Sequence, residues 1–289
     1  MGAELYDLPA ALPEEIPVIT FDDATMVQQI RDPYSDASLA NIPPKLFARS
    51  AASQRAASEV ATVCCVATRW AAISFEEEYG IPSEKIVVTG MGHRPRSAVA
   101  GEDRDWSRPR FLFVGSEWKG KNGAAVLKAF EMLREQRPEA SLDLVGDHPQ
   151  INMLGVTTHG FLAREDASAQ LLLDHLYAKA TGFVLPSLFE AAGIAYLEAA
   201  SSGLPVVATI RGGAPEVLND GAIVVDPYDP AALLEAMLTL CDSDTARSMG
   251  AKAFQAAAAS SWRKVASRVL DALVCRTPTR DDRSGSFGQ

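Results

Sequence analysis

Short apolar runs rich in valine and isoleucine alternate with stretches of helical periodicity along most of the chain. Each run is apolar throughout rather than alternating, which is typical of parallel strands covered by helices on both faces. The pattern predicts strands at residues 16–20, 61–67, 85–90, 110–115, 141–146, 155–160, 182–186, 205–209 and 222–226. It predicts helices at 124–136 and 191–203, and one long amphipathic helix over 253–274. Strands that alternate with helices in this way indicate an α/β protein built from βαβ units.

One segment interrupts this alternation. Residues 94–110 are rich in proline, glycine and charge and have no apolar periodicity, which predicts a linker at 94–109. The linker separates a domain at 1–93, with about three strands, from a more complete one at 110–257, with about six. Residues 258–275 are predicted to form a C-terminal helix and 276–289 a disordered tail. The first domain lacks an opening strand–turn–helix unit, so we expect it to be partial and to self-associate through an open sheet edge.

Composition excludes several classes of protein. A net charge of −10 argues against a general nucleic-acid binder, which would present excess lysine and arginine to phosphates. The four cysteines lack metal-ligand spacing, and the four histidines lie in separate elements, so no metal site is expected. No apolar run approaches the roughly 18 residues of a membrane span, and the N-terminal residues do not resemble a signal peptide. We therefore expect a cytoplasmic protein, either free or peripheral to the membrane.

The stretch G-S-E-W-K-G-K-N, at 115–122, has the spacing of a phosphate loop (G-x-x-x-x-G-K-[ST]). Asn122 stands where that loop needs a hydroxyl to bind Mg²⁺, so an NTPase loop is disfavoured. A second interpretation is that the glycines only make a turn and that Lys121 is solvated. A third is that Lys121 contacts a phosphate within a different nucleotide-handling fold.

A stronger signal lies at 185–221, where Glu190 and Glu198 are separated by seven residues. Small side chains in "EAAG" precede a predicted helix, whose free N–H groups and dipole favour a phosphate. This places Glu190 at the helix N-terminus and Glu198 about two turns further, roughly 12 Å along the axis. Carboxylates accept two hydroxyl donors at once and therefore suit diols. Two glutamates on an amphipathic helix can also form an ordinary solvated face, and that alternative stays open on these residues alone.

Several motifs occur together and in a fixed order: "FLFVGSEWKGKNG", "HGFLARED", "PSLFEAAGIAYLEA", "SGLPVVAT" and "GGAPEV". In this order they resemble the retaining nucleotide-sugar glycosyltransferases of family 4 (group 1 glycosyl transferases), which have the GT-B fold. The resemblance covers residues 110 to about 273, and a weaker one runs through "IPVITFDDAT" and 66–92. It implies two Rossmann-like parallel-sheet domains, of which the N-terminal acceptor domain is incomplete. It also implies that the last helix crosses back to the N-terminal domain.

The resemblance assigns roles to individual residues. It implies that Lys121 neutralises the leaving pyrophosphate and that Glu190 holds the transferred sugar, which makes these two the catalytic candidates. The implied donor-binding residues are Gly115, Ser116, Lys121, Phe161, Leu162, Glu190, Ala192, Gly193, Ile194, Glu198, Gly212 and Gly213. On the acceptor side it points to Asp22 and Asp23. No metal and no cofactor is implied, because the nucleotide-diphosphate sugar is a substrate.

Two positions depart from the family pattern. Ser116 stands where the family often has arginine, and Asp22 stands where the acceptor domain often has histidine. The implied activity is transfer of a hexose from a nucleotide-diphosphate sugar, with retained configuration, to a sugar, lipid-linked or small-molecule acceptor. The alternative is a truncated or degenerate homologue that binds the nucleotide-sugar without efficient transfer.

Overall fold

A computed structural model of the chain describes residues 6–7, 12–13, 15–32, 43–96 and 104–276. These residues divide into two compact units, with a boundary between Gly90 and Met91. The first unit contains the described residues up to Arg31, those at 43–90 and those from Arg263 onward, and the second contains most of 91–262. The structure is of the mixed α/β class with parallel sheets, as the sequence predicts. No helix of the described residues is long and apolar enough to cross a membrane.

In the first unit, three strands form a parallel sheet of order β1-β2-β3 among the described residues. Its elements are β1 (Ile19–Asp22), α1 (Met26–Arg31), α2 (Pro44–Val60), β2 (Val63–Val66), α3 (Arg69–Glu77) and β3 (Ile86–Val88). The central strand, β2, is buried along its whole length, which explains why its sequence "VCCV" is wholly apolar.

Both faces of this sheet are covered. On one face, Cys64 and Val66 pack with Phe75 of α3 and with Ile81. On the other face, Val63 and Cys65 pack with Ala272 of the last helix. Burial raises the pKa of the Cys65 thiol to about 11, so this thiol stays protonated near neutral pH. Self-association through this unit stays a prediction.

The second unit contains a larger parallel sheet, with order β6-β5-β4-β7-β8-β9 among the described residues. Its strands are β4 (Arg110–Val114), β5 (Ser141–Val145), β6 (Val156–Thr158), β7 (Gly182–Leu185), β8 (Val206–Thr209) and β9 (Ala222–Val225). Its helices are α4 (Gly123–Gln136), α5 (Ala167–Lys179), α6 (Ile194–Ser201), α7 (Pro230–Thr239) and α8 (Ser243–Ala258).

The order of strands in the second unit reverses between β4 and β7. The chain first moves outward from β4 to β5 and β6, and then returns to pair β7 with the other edge of β4. In open parallel sheets, ligands bind in the crevice beyond the carboxyl ends of the strands at such a reversal. The loops that follow β4 and β7 therefore lie at the expected place for a binding site.

The predicted long helix over 253–274 is wrong, because two helices occupy this stretch. Helix α8 ends at Ala258, and α9 (Trp262–Val274) begins four residues later. At the break, the Ser260 carbonyl accepts a hydrogen bond from the backbone N–H of His93 at 3.1 Å. Serine is favoured just before a helix, where its hydroxyl competes for backbone groups. The apolar periodicity continues across the break and so conceals it.

The segment predicted as a linker belongs mainly to the second unit where it is described. Arg104 is buried, and its guanidinium donates to the carbonyls of Ala180 and Ser202, both at 2.6 Å, and of Tyr177 at 3.3 Å. It thereby holds the last turn of α5 and the end of α6 together. Residues 97–103 and the predicted tail at 277–289 lie outside the described residues.

Candidate functional site

Lys121 and Glu190 meet at the strand reversal of the second unit. Lys121 lies in the loop after β4 and Glu190 in the loop after β7, and the Lys121 Nζ lies 2.6 Å from the Glu190 Oε2. Their side chains are 26% and 16% exposed, so a ligand can reach the pair while bulk water is partly excluded. A partly buried ion pair of this kind places a cation and an anion side by side at the carboxyl edge of the sheet.

The loop from Gly115 to Asn122 does not have the organisation of an NTPase phosphate loop. Its Glu117 carboxylate accepts the backbone N–H groups of Lys119, at 2.9 Å, and of Gly120. In a phosphate loop those amides would point at the nucleotide instead. Here they are held by the loop's own carboxylate, and Lys121 is the residue directed at the site.

Asn122 has a structural function. It adopts a left-handed backbone conformation with φ +59° at the start of α4, and its Nδ2 donates to the Pro227 carbonyl at 2.8 Å. Asparagine tolerates this conformation better than most residues. It therefore turns the chain into α4 at the position where a phosphate loop would carry its metal-binding hydroxyl.

Glu190 is held in place mainly through its backbone. Its N–H donates to the Arg211 carbonyl at 3.1 Å, and its own carbonyl accepts the Ala214 N–H at 3.2 Å. The Ser187 hydroxyl adds a hydrogen bond to Glu190 Oε2 at 3.2 Å. Gly212 has φ +95° and lies against the Glu190 backbone, where a Cβ atom would overlap the Glu190 carbonyl. The close approach of the two loops therefore requires glycine at 212.

Helix α6 begins at Ile194, after Gly193 in a left-handed conformation with φ +63°. No side chain of the described residues caps this terminus, and helix N-termini without caps leave backbone N–H groups available to an anion. The hydroxyl of Tyr196 fixes the helix by donating to the Leu185 carbonyl at 2.7 Å. The turn at the start of α6 thus contains Ala192, Gly193 and Ile194. It lies beside the Lys121–Glu190 pair, and its residues follow Glu190 in the sequence order that the resemblance implies.

The two glutamates do not lie on one helix, although the sequence predicts Glu190 at the N-terminus of the helix that carries Glu198. Glu190 precedes the first residue of α6, Ile194, and lies in the loop. Glu198 lies in the second turn of α6, and Arg96 Nη2 donates to its Oε2 at 2.8 Å. The prediction that Glu190 begins the helix is wrong, because Gly193 supplies the turn that starts it.

The other implied donor-binding residues are distributed over several loops. Gly115 and the exposed Ser116 follow β4, and a Cβ on Gly115 would touch the Lys121 side chain, so glycine there leaves room for the lysine. Phe161 is 68% exposed after β6, and Leu162 beside it is half-buried. Gly213 follows Gly212 after β8 and begins a short 3₁₀ turn. All of these positions come after the carboxyl ends of strands in one sheet.

A buried acidic residue, Asp143, supports the β6 end of this sheet. Its Oδ2 lies 2.7 Å from Arg110 Nε and its Oδ1 lies 2.8 Å from His159 Nε2. The register of the sheet places Asp143 opposite Thr157 of β6, one strand away from β4. This group explains why a charged residue interrupts the apolar strand β5, and it gives His159 a structural partner.

The acceptor-side candidates lie in the first unit. Asp22 ends β1 and is buried, and its Oδ1 accepts the Tyr6 hydroxyl and, at 3.0 Å, Gln54 Nε2. Asp23 is half-buried. Whether either residue contacts an acceptor stays a prediction.

Four polar residues of the second unit were not found from the sequence. They are Arg96, Gln170, Asp174 and Ser187, which contact Glu198 or Glu190 directly or through Arg96. Arg96 lies in a segment without periodicity, and Gln170 and Asp174 lie on α5, whose sequence shows no separate motif. No local signal identifies Arg96, Gln170 and Asp174, because their partners are distant in the chain. Ser187 lies only three residues before its partner Glu190, inside the motif "PSLFEAAG".

The site therefore consists of a lysine–glutamate pair, an uncapped helix start and a second glutamate, all at the switch point of a Rossmann-like sheet. Residues 108–243 match the family model described as "Glycosyl transferases group 1". This region is a group 1 glycosyltransferase domain of the GT-B type.

Relatives of known type resemble the chain over parts of their length. It is 31% identical to the D-inositol 3-phosphate glycosyltransferase of Corynebacterium kroppenstedtii over 226 residues, which cover 67% of this chain and 49% of that protein. It is 32% identical to a GDP-mannose-dependent alpha-(1-6)-phosphatidylinositol monomannoside mannosyltransferase of Mycolicibacterium smegmatis, over 54% of this chain and 45% of that one. The chain thus spans about half the length of these two relatives.

Solved structures share the fold. The sucrose-phosphate synthase of Thermosynechococcus elongatus superposes with a TM-score of 0.71 at 19% identity, covering 94% of this chain and 71% of that one. The alpha,alpha-trehalose 6-phosphate synthase of Burkholderia multivorans gives a TM-score of 0.67 at 13% identity, with coverage of 99% and 76%. At these identities the likeness establishes the GT-B fold alone.

Proposed function

We propose that the protein transfers a hexose from a nucleotide-diphosphate sugar to an acceptor, with retention of configuration. The observation that carries the proposal is the Lys121–Glu190 pair, whose charged atoms lie 2.6 Å apart at the strand reversal. Glu190 of this pair lies just before the start of α6 in the chain. Group 1 membership of residues 108–243 supports it, as does the GDP-mannose dependence in the name of one relative.

In this proposal the diphosphate lies against the N-terminal amides of α6 and Lys121. Negative charge builds up on the leaving diphosphate as the glycosidic bond breaks, and a fixed cation stabilises it. Lys121 then exchanges part of its contact with Glu190 for a phosphate oxygen. The carboxylate of Glu190 is thereby freed to accept hydroxyl groups of the transferred sugar.

Glu198 is proposed to bind the ribose. It lies in the second turn of α6, so it is set back from the helix N-terminus, just as the ribose of a nucleotide is set back from its diphosphate. The exposed ring of Phe161 and the neighbouring Leu162 offer an apolar surface for the base. Metal-independent transfer without a cofactor stays a prediction, as does the retention of configuration.

The first test is a binding and release assay on the whole chain. UDP-, GDP- and ADP-sugars are each added with an acceptor panel that includes D-inositol 3-phosphate, and thermal shift and free nucleotide are followed together. We expect one nucleotide class to raise the melting temperature and one donor–acceptor pair to release nucleotide. NMR of the product then reports the anomeric configuration.

The outcomes separate the two candidate functions. Stabilisation without release over the whole panel would show a binding protein without efficient transfer. No stabilisation by any nucleotide would overturn both functions. Glu198→Gln should weaken nucleotide binding about 10- to 100-fold, since hydrogen bonds to a charged acceptor contribute about 1.5–3 kcal/mol. Glu235→Gln, at an exposed glutamate on α7, is the matched control.

A further inference from the structure

Arg96 joins Glu198 to helix α5. Its Nη2 donates to Glu198 Oε2 at 2.8 Å, and its Nη1 donates to Gln170 Oε1 at 3.0 Å. The same Nη1 lies 3.6 Å from Asp174 Oδ1, and the guanidinium carbon lies 5.2 Å from the centre of the Tyr177 ring. The guanidinium is thus oriented by one partner on α6 and three on α5.

This group is largely shielded from water. The side chains of Arg96, Glu198 and Asp174 are 11%, 14% and 18% exposed. Two carboxylates share one guanidinium, so removal of Arg96 would leave two desolvated negative charges without a counter-charge. Such carboxylates turn toward water, and this change of orientation alters what Glu198 can accept.

Arg96 is charged and well placed to hold Glu198. Burial lowers the pKa of Arg96, but Glu198, together with Tyr177 and Asp174, more than offsets this, so the pKa is raised. Neighbouring His93 does not compete for that carboxylate. Burial lowers its pKa, against an opposing effect of Glu198, and neither of its ring nitrogens has a hydrogen-bond partner among the described residues. The guanidinium fork can donate in two directions at once, which an ammonium on a flexible stem does less well.

We propose that Arg96 is a positioning residue for nucleotide recognition, which fixes the Glu198 carboxylate so that it receives the ribose hydroxyls. The proposal rests on the proposed function, in which Glu198 binds the ribose. Arg96 engages Oε2 alone, and among the described residues no side chain donates to Oε1. Because a carboxylate offers about four acceptor positions, the ribose diol and Arg96 bind it together rather than in competition.

A double-mutant cycle with nucleotides lacking ribose hydroxyls tests this role. Calorimetry measures the affinity of UDP, GDP or ADP, whichever binds the wild-type chain, and of the matching 2′,3′-dideoxynucleoside diphosphate. We expect Arg96→Gln to weaken the ribonucleotide about tenfold and to leave the dideoxynucleotide within about twofold. In a Glu198→Gln background, Arg96→Gln should cause no further loss. Arg96→Lys should recover part of the affinity, and Arg94→Gln, at an exposed neighbour, should have no effect.

Other results of the same measurements would overturn the proposal. Equal losses for both nucleotides, or losses that add in the double variant, would assign Arg96 a purely structural role and overturn the proposal. If Arg96→Gln bound the ribonucleotide more tightly than the wild type, Arg96 would compete with the ribose for Glu198, and this result would also overturn the proposal. Should Arg96→Gln not fold, Arg96→Lys supplies the same ribose-selective comparison. If the wild-type chain binds no nucleoside diphosphate, the proposed function fails first and this inference fails with it.

Discussion

Acidic residues lie at the carboxyl end of a strand, or in the loop and helix that follow one, in both units, but the two units neutralise them differently. In the second unit, Glu190 and Glu198 each lie beside a cation, Lys121 and Arg96, and are partly exposed. In the first unit, Asp22 is 6% exposed, its described hydrogen-bond donors are neutral, and its Oδ2 has no partner among the described residues. Burial accordingly raises the pKa of Asp22. An acid near the end of a strand is therefore an ambiguous pattern, since Asp143 has a cationic partner in Arg110 and is still a buried group of the fold. Glu190 and Glu198 differ from Asp143 in combining a neighbouring cation with greater exposure.

The largest expected effect comes from removing the cation of the proposed site. Lys121→Ala should lower kcat about 10²- to 10³-fold, because one preorganised group that stabilises transition-state charge contributes about 2.7–4 kcal/mol. Steady-state transfer kinetics with the active donor measure it, with Lys128→Ala at an exposed lysine of α4 as the control. A fall of less than about fivefold would mean that Lys121 does not act on the leaving group.

Arg104 is the reverse case, a buried cation whose described hydrogen bonds involve no carboxylate. Burial lowers its pKa to about 10, and its hydrogen bonds go to three backbone carbonyls. Arg104→Ala should lower the free energy of unfolding by about 3 kcal/mol, because it leaves those carbonyls without their donor. Urea unfolding measures this loss against Arg108→Ala, whose side chain is 82% exposed. Equal stability of the two variants would show that the carbonyls find other donors.

A smaller effect is expected at the glycine that supports Glu190. Gly212→Ala should cost about 2 kcal/mol, since it combines left-handed strain with overlap on the Glu190 carbonyl. It should also weaken nucleotide-sugar binding. Gly80→Ala, in the first unit, is the matched control, because Gly80 has φ +68° and no described atom within 4 Å of the place a Cβ would take, so only the strain of about 1 kcal/mol applies. If Gly212→Ala and the control lost the same stability and the same affinity, the close approach of Gly212 would not be what positions Glu190.

The smallest effect concerns the unneutralised carboxylate of the first unit. The pKa of Asp22 is higher in the folded than in the unfolded chain, so the folded state binds more protons above the ordinary pKa of about 3.9. The associated stability is fully present below that pH and is lost as pH rises through the raised pKa. Asp22→Asn should remove this dependence, so its free energy of unfolding should rise relative to that of the wild type as pH increases from 4 to 8.

Urea unfolding over that pH range measures the difference. Glu77→Gln, at an exposed glutamate of the first unit, is the control and should follow the wild type. If the free energies of unfolding of the wild type and of Asp22→Asn changed in parallel with pH, this would contradict a raised pKa at Asp22.

Much of the fold was predictable because local chemistry determines it. Strand β2 is buried on both faces, so every position in "VCCV" had to be apolar, and that uniform run is visible in the sequence. The helix starts were harder to locate. The start of α6 depends on Gly193, and the break before α9 depends on a hydrogen bond from His93 to Ser260. The apolar periodicity of the sequence shows neither the start of α6 nor the break before α9.

The site was predictable in its residue types but not in its pairs. The sequence identified Lys121, Glu190 and Glu198 through motifs within single loops or helices. The 2.6 Å contact between Lys121 and Glu190 joins residues 69 positions apart, and Arg96 and Glu198 are 102 positions apart. Contacts between residues so far apart in the chain produce no periodic pattern and no local motif in the sequence.

By itself, the sequence determined the α/β class, the strands and the residues that carry the family resemblance, because burial on a sheet and turn chemistry act over a few neighbouring residues. Only the tertiary structure decided which charges meet. It gave Glu190 and Glu198 their cations, left Asp22 with neutral donors, and placed Asn122 at the start of α4. The physical reason is that electrostatic partners are fixed by strand order and loop packing, which bring distant segments together after the local elements have formed.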